Sequence, residues 1–318
     1  MVYNTDELIK FQDVSKTYKN LLALDKISFN INKGDVFGYI GPNGAGKTTT
    51  IKIIVGLIRD YLGKVYFNGE DIAKRHHQIH KFVGYHPQDA GFQDWRTINH
   101  VMHTFGLLSG LKGGVLEEKI YKTLNFVGLL DERDKKVKHL SGGMLQKLRL
   151  AQALLTEPEI LILDEPLSGL DPSSRYQIKN LIRSLSKQGK TILFSSHILS
   201  DVQDVANKVG IINRGKILRI GTPEELQTEF NIGNEIEIEY AINNQKVIEK
   251  ESLECIQNVD EIALKRQLLT LKPDLDLDNA INQILNYLVQ NNFKIRSFKT
   301  NKPSLEDVYL RYVRGDFQ

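Results

Sequence analysis

One octapeptide limits what this chain can fold into: Gly41-Pro42-Asn43-Gly44-Ala45-Gly46-Lys47-Thr48. It follows the apolar run Val36-Phe37-Gly38-Tyr39-Ile40 and opens a segment of helical spacing over 49–58. A strand, a glycine-rich turn and a helix in that order make a phosphate-binding loop. The glycines let successive backbone N–H groups turn inward on one anion, and the helix N-terminus adds its partial positive charge. Lys47 is placed to reach the β- and γ-phosphates, and the Thr48 hydroxyl to hold Mg²⁺. A stray glycine turn would not combine the lysine, the hydroxyl and the strand–helix frame. Binding of a nucleoside triphosphate is expected.

At 318 residues the chain has room for about two domains. Apolar residues make up 41% and charged residues 25%, the balance of an ordinary globular protein. A net charge of +3 gives no ground for direct binding of nucleic acid. The basic cluster Lys135-Lys136-Val137-Lys138 reads as a solvated loop. The single cysteine, Cys255, excludes an internal disulfide and reads as an unreactive thiol. No apolar run approaches the ~20 residues that span a bilayer. The N-terminus lacks a basic segment followed by an apolar core, so no signal peptide is expected. These features place the chain in the cytosol, with any membrane role exerted through a partner.

Residues 8–40 alternate apolar and polar positions between turn signals and predict short antiparallel strands. A strand over 64–69 follows the first helix. Residues 92–156 predict a largely helical region, with Ile98, Val101, Met102, Phe105 and Leu108 on one face. Ile160-Leu161-Ile162-Leu163 reads as a buried strand, then come a helix near 173–188, a strand over 191–194, another helix and strands near 209–220. Alternation of this kind predicts an α/β fold: a mainly parallel sheet covered on both faces. The texture changes near 230–234. Residues 1–230 are therefore expected to form one domain and 231–318 a small α+β domain. In the latter, strands over 235–241, 268–271 and 293–298, a helix over 276–291 and a last helix from Ser304 are expected.

Asp164, Glu165 and Pro166 end the buried strand. A parallel strand delivers its C-terminal residues to the same sheet edge as the phosphate loop. Two carboxylates there can divide the labour, with Asp164 in the Mg²⁺ shell and Glu165 orienting or deprotonating the attacking water. Ser141-Gly142-Gly143 precedes a helix-like segment over 144–156 and so makes a second anion-binding helix N-terminus.

With these segments in order, residues 9–225 resemble the ATP-binding cassette (ABC) family of ATPases. The phosphate loop, with Thr49 beyond it, matches that family's Walker A motif. Leu140-Ser141-Gly142-Gly143-Met144 matches the signature motif, and residues 160–165 match Walker B with its catalytic glutamate. The resemblance implies that Tyr18 stacks on adenine, that Gln88 senses Mg²⁺ and the attacking water, and that His197 contacts the γ-phosphate. Asp171 closes the D-loop, Ser168-Gly169-Leu170-Asp171. It also implies a P-loop fold with an antiparallel β subdomain and a helical subdomain over about 90–156. ATP would be held by the Walker A loop of one chain and capped by Ser141, Gly142 and Gly143 of another. That partner would be a second copy or a related cassette, and an integral membrane permease would be moved by the pair. The C-terminal region, with Lys302-Pro303-Ser304-Leu305-Glu306-Asp307-Val308-Tyr309-Leu310, is similar to ATPase subunits of ABC-2-type exporters such as multidrug, antibiotic-resistance and sodium-extrusion systems. The chain would then sit in the cytoplasm, peripheral to the inner face of the membrane.

Two positions depart from the family pattern: Met144 stands where glutamine is usual, and His86 precedes Pro87-Gln88 where apolar or small residues are usual. No function is read into His86. His76, His77 and His80, and the pair His100 and His103, lack carboxylate or cysteine neighbours at metal-site spacing and read as polar surface. Trp95 is either a contact for the membrane partner or a buried anchor. A different class of function is a non-transport ABC ATPase acting on ribosomes, DNA or iron–sulfur assembly. Translation-factor members usually carry two cassettes, and DNA-repair members place long coiled coils between Walker A and Walker B. A P-loop kinase or GTPase leaves the signature and His197 unexplained.

Overall fold

Alternating residues near the N-terminus become two long strands, β1 (Glu7–Tyr18) and β2 (Leu21–Asn32), paired antiparallel. Several short strands are expected from the sequence. Register shifts between Phe11 and Val14, and again near Lys16, re-phase the alternation without ending the strand, so the structure has two continuous ones. The structure is a computed structural model and describes residues 6–74, 79–88, 91–229, 235–241, 247–263, 266–272 and 276–301. The expected helix from Ser304 and the tail motif lie outside the described residues, as do His76 and His77.

The next strand, β3 (Val36–Ile40), is buried at every position and runs into the phosphate loop and α1 (Lys47–Ile54). The chain then makes β4 (Leu62–Phe67), β5 (Glu70–Asp71) and β6 (Val83–His86). Three helices follow, α2 (Ile98–Leu108), α3 (Gly113–Val127) and α4 (Gly142–Leu154), packed on one another. The remainder of this region is β7 (Ile160–Leu163), α5 (Pro172–Lys187), β8 (Thr191–Ser196), α6 (Leu199–Gln203), β9 (Lys208–Asn213), β10 (Lys216–Gly221) and α7 (Pro223–Glu229).

The central sheet has the order β10-β9-β3-β8-β7-β6, parallel except for β10. A parallel strand covered on both faces needs apolar residues at every position, which is why Ile160-Leu161-Ile162-Leu163 shows no alternation. A second sheet, β2-β1-β4-β5, is antiparallel. Phe11 and Phe29 of that sheet stack on each other, and Phe29 stacks in turn on Phe37 and Tyr39 of β3. One core therefore joins the two sheets. Because the parallel strands end at one edge, the residues after β3, β6, β7 and β8 converge there.

By contact the chain divides into two units, Met1–Pro223 and Glu224–Gln318. The second takes in α7 from Glu224 onward, then β11 (Glu235–Tyr240), β12 (Ile256–Ala263), β13 (Arg266–Leu271), α8 (Leu277–Gln290) and β14 (Ile295–Asn301). Its sheet, β12-β13-β11-β14, is antiparallel throughout. Ala280, Ile284 and Leu288, one helical turn apart on α8, join Ile236, Ile238, Leu269 and Leu271 in its core. Only three strands are expected here from the sequence. β12 escapes detection because register shifts at both of its ends break the apolar alternation. Among the described residues no helix is long and apolar enough to cross a membrane.

Candidate active site

The phosphate loop takes its shape from Gly46, the residue before α1. Its φ of +114° lies in the left-handed region, and a Cβ there would sit 2.7 Å from Leu24 Cδ2 and 2.8 Å from the Ala23 carbonyl oxygen. Only glycine fits both constraints. The Lys47 side chain is buried and folds back over the loop. Its Nζ donates to the carbonyl oxygens of Gly41 at 2.7 Å and Pro42 at 3.3 Å, and lies 3.2 Å from Glu165 Oε1.

At the end of β7, Asp164 is 0% and Glu165 6% exposed. Glu165 holds a φ of +50°, rare for a residue with a side chain. Such a conformation costs about 1–3 kcal/mol and persists only where neighbours enforce it. Here the enforcing group is Ser195, from the parallel strand alongside. Its Oγ accepts from the Glu165 backbone N–H at 2.9 Å and donates to Asp164 Oδ1 at 2.7 Å, so one hydroxyl sets both acids. His197, just past β8, donates from Nδ1 to Glu165 Oε2 at 2.8 Å.

Burial pushes the Asp164 carboxyl above the usual range, against hydrogen bonding from Ser195 and Thr48; the neighbouring charge of Glu165 adds to the rise. Its Oδ2 is buried and has no hydrogen-bond partner among the described residues. A buried oxygen left without a donor, on a carboxyl that the Thr48 hydroxyl also reaches, suits a divalent cation with oxygen ligands.

A cavity of about 540 Å³ opens over the loop. Tyr18, Asn43, Gly44, Ala45, Gly46, Lys47, Thr48, Thr49, Gln88 and Glu165 line it, so the structure gathers both ends of the expected site around one space. Gly41 and Pro42 do not line it and act through their carbonyls on Lys47. Leu21, Leu22, Ala23 and Arg214 also line it, and no motif marks them. Ser195 carries no motif either. The topological argument that finds Asp164 would also find Ser195, since β7 and β8 end side by side.

The second glycine-led helix start lies elsewhere. Ser141 caps α4, its Oγ accepting from the Met144 N–H at 3.2 Å. Ser141 and Gly142 are exposed and do not line the cavity. Gly143 is buried against α5, where a Cβ would lie 2.3 Å from Ser174 Oγ. Asp171 caps α5, accepting from the Ser174 N–H at 3.0 Å and from its hydroxyl at 2.6 Å. These bonds hold the Asp171 carboxyl below the usual range. The signature and D-loop segments thus meet each other, away from the chain's own cavity.

His86, given no role by the sequence, is 1% exposed and donates from Nε2 to Gln146 Oε1 of α4 at 2.6 Å. Burial pushes its pKa down to about 4. It ties the strand leading to Gln88 to the signature helix. The Trp95 side chain is 61% exposed, which overturns the buried-anchor reading, and Arg96 lies over its ring. His80 and His100 are exposed, and His103 bonds Glu117.

The ABC transporter family profile matches residues 24–168, and that of the DrrA1-3-like ATP-binding protein C-terminal domain matches residues 221–313. An uncharacterized ABC transporter ATP-binding protein of Bacillus subtilis (strain 168) is 34% identical over 97% of this chain and 100% of its own length. The Nod factor export ATP-binding protein I of Burkholderia pseudomallei (strain 1710b) is 36% identical over 72% of this chain and 75% of its own. The ADP conformation of an ATP-binding cassette from an ABC transporter is 30% identical, with a TM-score of 0.63, over 69% of this chain and 92% of that one. The family match, the shared fold and a relative matched along its whole length place the chain among the ABC transporter ATP-binding proteins, as a transport ATPase.

Proposed function

We propose that the chain is half of a nucleotide sandwich that closes on ATP, opens after hydrolysis and so drives export through an integral membrane permease. The other half is a second copy or a related cassette. The observation that carries this reading is the position of Ser141 and Gly142, exposed at a helix N-terminus and absent from their own chain's cavity lining. A helix start of that kind favours an anion, and the γ-phosphate of an ATP bound to a facing chain supplies one.

In that pair Tyr18 stacks on adenine and the N–H groups of residues 43–49 cradle the phosphates. Lys47 leaves Glu165 for the β- and γ-phosphates. Thr48 and Asp164, with Gln88 nearby, hold Mg²⁺, which supplies positive charge against the phosphate oxygens. Glu165 then orients a water for in-line attack on the γ-phosphorus and accepts its proton. The bond to the β–γ bridging oxygen breaks, leaving ADP and inorganic phosphate. His197 steadies Glu165 and faces the γ-phosphate. Positioning and charge neutralisation do most of the work. Asp171 and its helix lie against Gly143, so the contact between halves and the cap on the phosphate move together.

Residues 1–230 carry this chemistry, and 231–318 form an accessory domain. Export is supported by the Nod factor export relative. The chain works in the cytoplasm, held at the inner face of the membrane by the permease, and the exposed Trp95 suits contact with it. The test is purification in detergent with the membrane companion, followed by light scattering with and without ATP. Retention of that companion and an ATP-dependent dimer are expected. A chain that stays monomeric under every nucleotide condition, companion included, would sink the reading.

A further inference from the structure

The Tyr18 ring has a partner of its own. Lys16 Nζ lies over it, 4.8 Å from the ring centroid. The two residues are separated by one position on β1, where the register shifts around Lys16, and the lysine side chain reaches the ring from that irregular stretch. Yet Lys16 is 5% exposed and Tyr18 42%. An ammonium group so deeply placed needs a counter-charge, and Asp60 supplies it. Lys16 Nζ donates to the Asp60 carboxylate at 2.5 Å and to the Asp60 carbonyl oxygen at 2.8 Å. Tyr18 lines the phosphate-loop cavity and Lys16 does not, so the cation backs the ring from outside the cavity.

We propose that Lys16 is a positioning residue for the nucleotide base: clamped by Asp60, it holds the Tyr18 ring in the orientation that receives adenine. The proposal rests on the reading that Tyr18 stacks on the base. A ring already held in place loses less freedom when a ligand stacks on it. The cation also draws density from the electron-rich face of the tyrosine, so the opposite face meets a purine with less repulsion. Asp60 follows α1, the helix that begins at Lys47 and Thr48, so one helix carries the phosphate grip at its start and the tether of the base platform beyond its end.

The experiment is calorimetric titration of the full chain with ATP and, separately, with inorganic triphosphate, for wild type, Lys16→Met, Lys16→Arg and Tyr18→Ala. Lys16→Met should bind ATP about fivefold more weakly, the size of a partly desolvated cation–π contact. Its affinity for inorganic triphosphate should be unchanged, and Lys16→Arg should recover most of the ATP affinity. If Tyr18→Ala weakens ATP but Lys16→Met does not, the proposal fails and the base reading stands. Equal loss of ATP and triphosphate by Lys16→Met marks a general disturbance of the fold and also overturns it. If Tyr18→Ala leaves ATP binding intact, the base reading fails and takes the proposal with it.

Discussion

Glu165 is gripped from both sides: His197 Nδ1 bonds one carboxylate oxygen at 2.8 Å, and Lys47 Nζ lies 3.2 Å from the other. In the proposed mechanism a triphosphate entering the loop competes for Lys47, and its arrival frees one oxygen of the carboxylate proposed to handle water. That mechanism links binding and activation through a single lysine. Glu165→Gln keeps the shape of the side chain but cannot take a proton. Steady-state phosphate release should fall by about 10²–10⁴, while ATP titration shows affinity equal to wild type or tighter. Rapid turnover by the variant would remove Glu165 from the mechanism.

Lys47→Ala should behave in the opposite way. The lost contacts are charge-assisted hydrogen bonds to phosphate, each worth about 1.5–3 kcal/mol, so nucleotide binding should weaken by roughly 10- to 100-fold. Titration with a labelled ATP analogue measures this directly. Undiminished affinity would mean that the backbone N–H groups alone hold the phosphates.

The two predictions draw on residues that the sequence exposes well, for a physical reason. Phosphate chemistry needs glycines, a lysine and paired acids at the ends of neighbouring parallel strands, and such residues are scarce enough to be seen in a linear chain. Ser195 is harder to see, because a serine at a strand end has many uses and its hold on both acids exists only across strands. The Lys16–Asp60 tether joins residues far apart in sequence, so no local pattern announces it. Strand β12 is hidden in a different way: its register shifts destroy the very alternation by which strands are recognised.

His86 belongs to the same hidden class and gives a pH prediction. Its pKa is pushed from the ordinary 6.5 down to about 4 by burial. As pH falls below about 6.5, the unfolded chain takes up a proton that the folded chain refuses, so stability declines toward pH 4. This one group accounts for on the order of 2–3 kcal/mol across that window. Urea denaturation of wild type and His86→Leu at pH 7 and pH 5 isolates it. The variant should be less stable at pH 7 by about 1–2 kcal/mol, since Gln146 loses its partner. It should also lose less stability between the two pH values. Equal slopes for both proteins would show that His86 is not held neutral by the fold.

Gly143 allows the proposed pairing to be separated from nucleotide binding. A Cβ on this residue would stand 2.3 Å from Ser174 Oγ and 2.8 Å from Ser174 Cβ. Rotation of the hydroxyl cannot relieve the second contact, and the hydroxyl is in any case bonded to Asp171. In Gly143→Ala the start of α4 and the start of α5 must therefore move apart, carrying the exposed N-terminus and the D-loop out of register. The phosphate loop is untouched, so ATP affinity of the single chain should stay within about twofold of wild type, which is well below 1 kcal/mol. The ATP-dependent dimer should disappear in light scattering, and hydrolysis should fall by about 10² or more once the facing donors are misplaced. Adding Ser174→Gly removes both clashing atoms at a cost of about 1 kcal/mol in helix stability. The double variant should regain a large part of dimerisation and turnover. Normal pairing by Gly143→Ala alone would show that this helix N-terminus does not face the nucleotide of a partner.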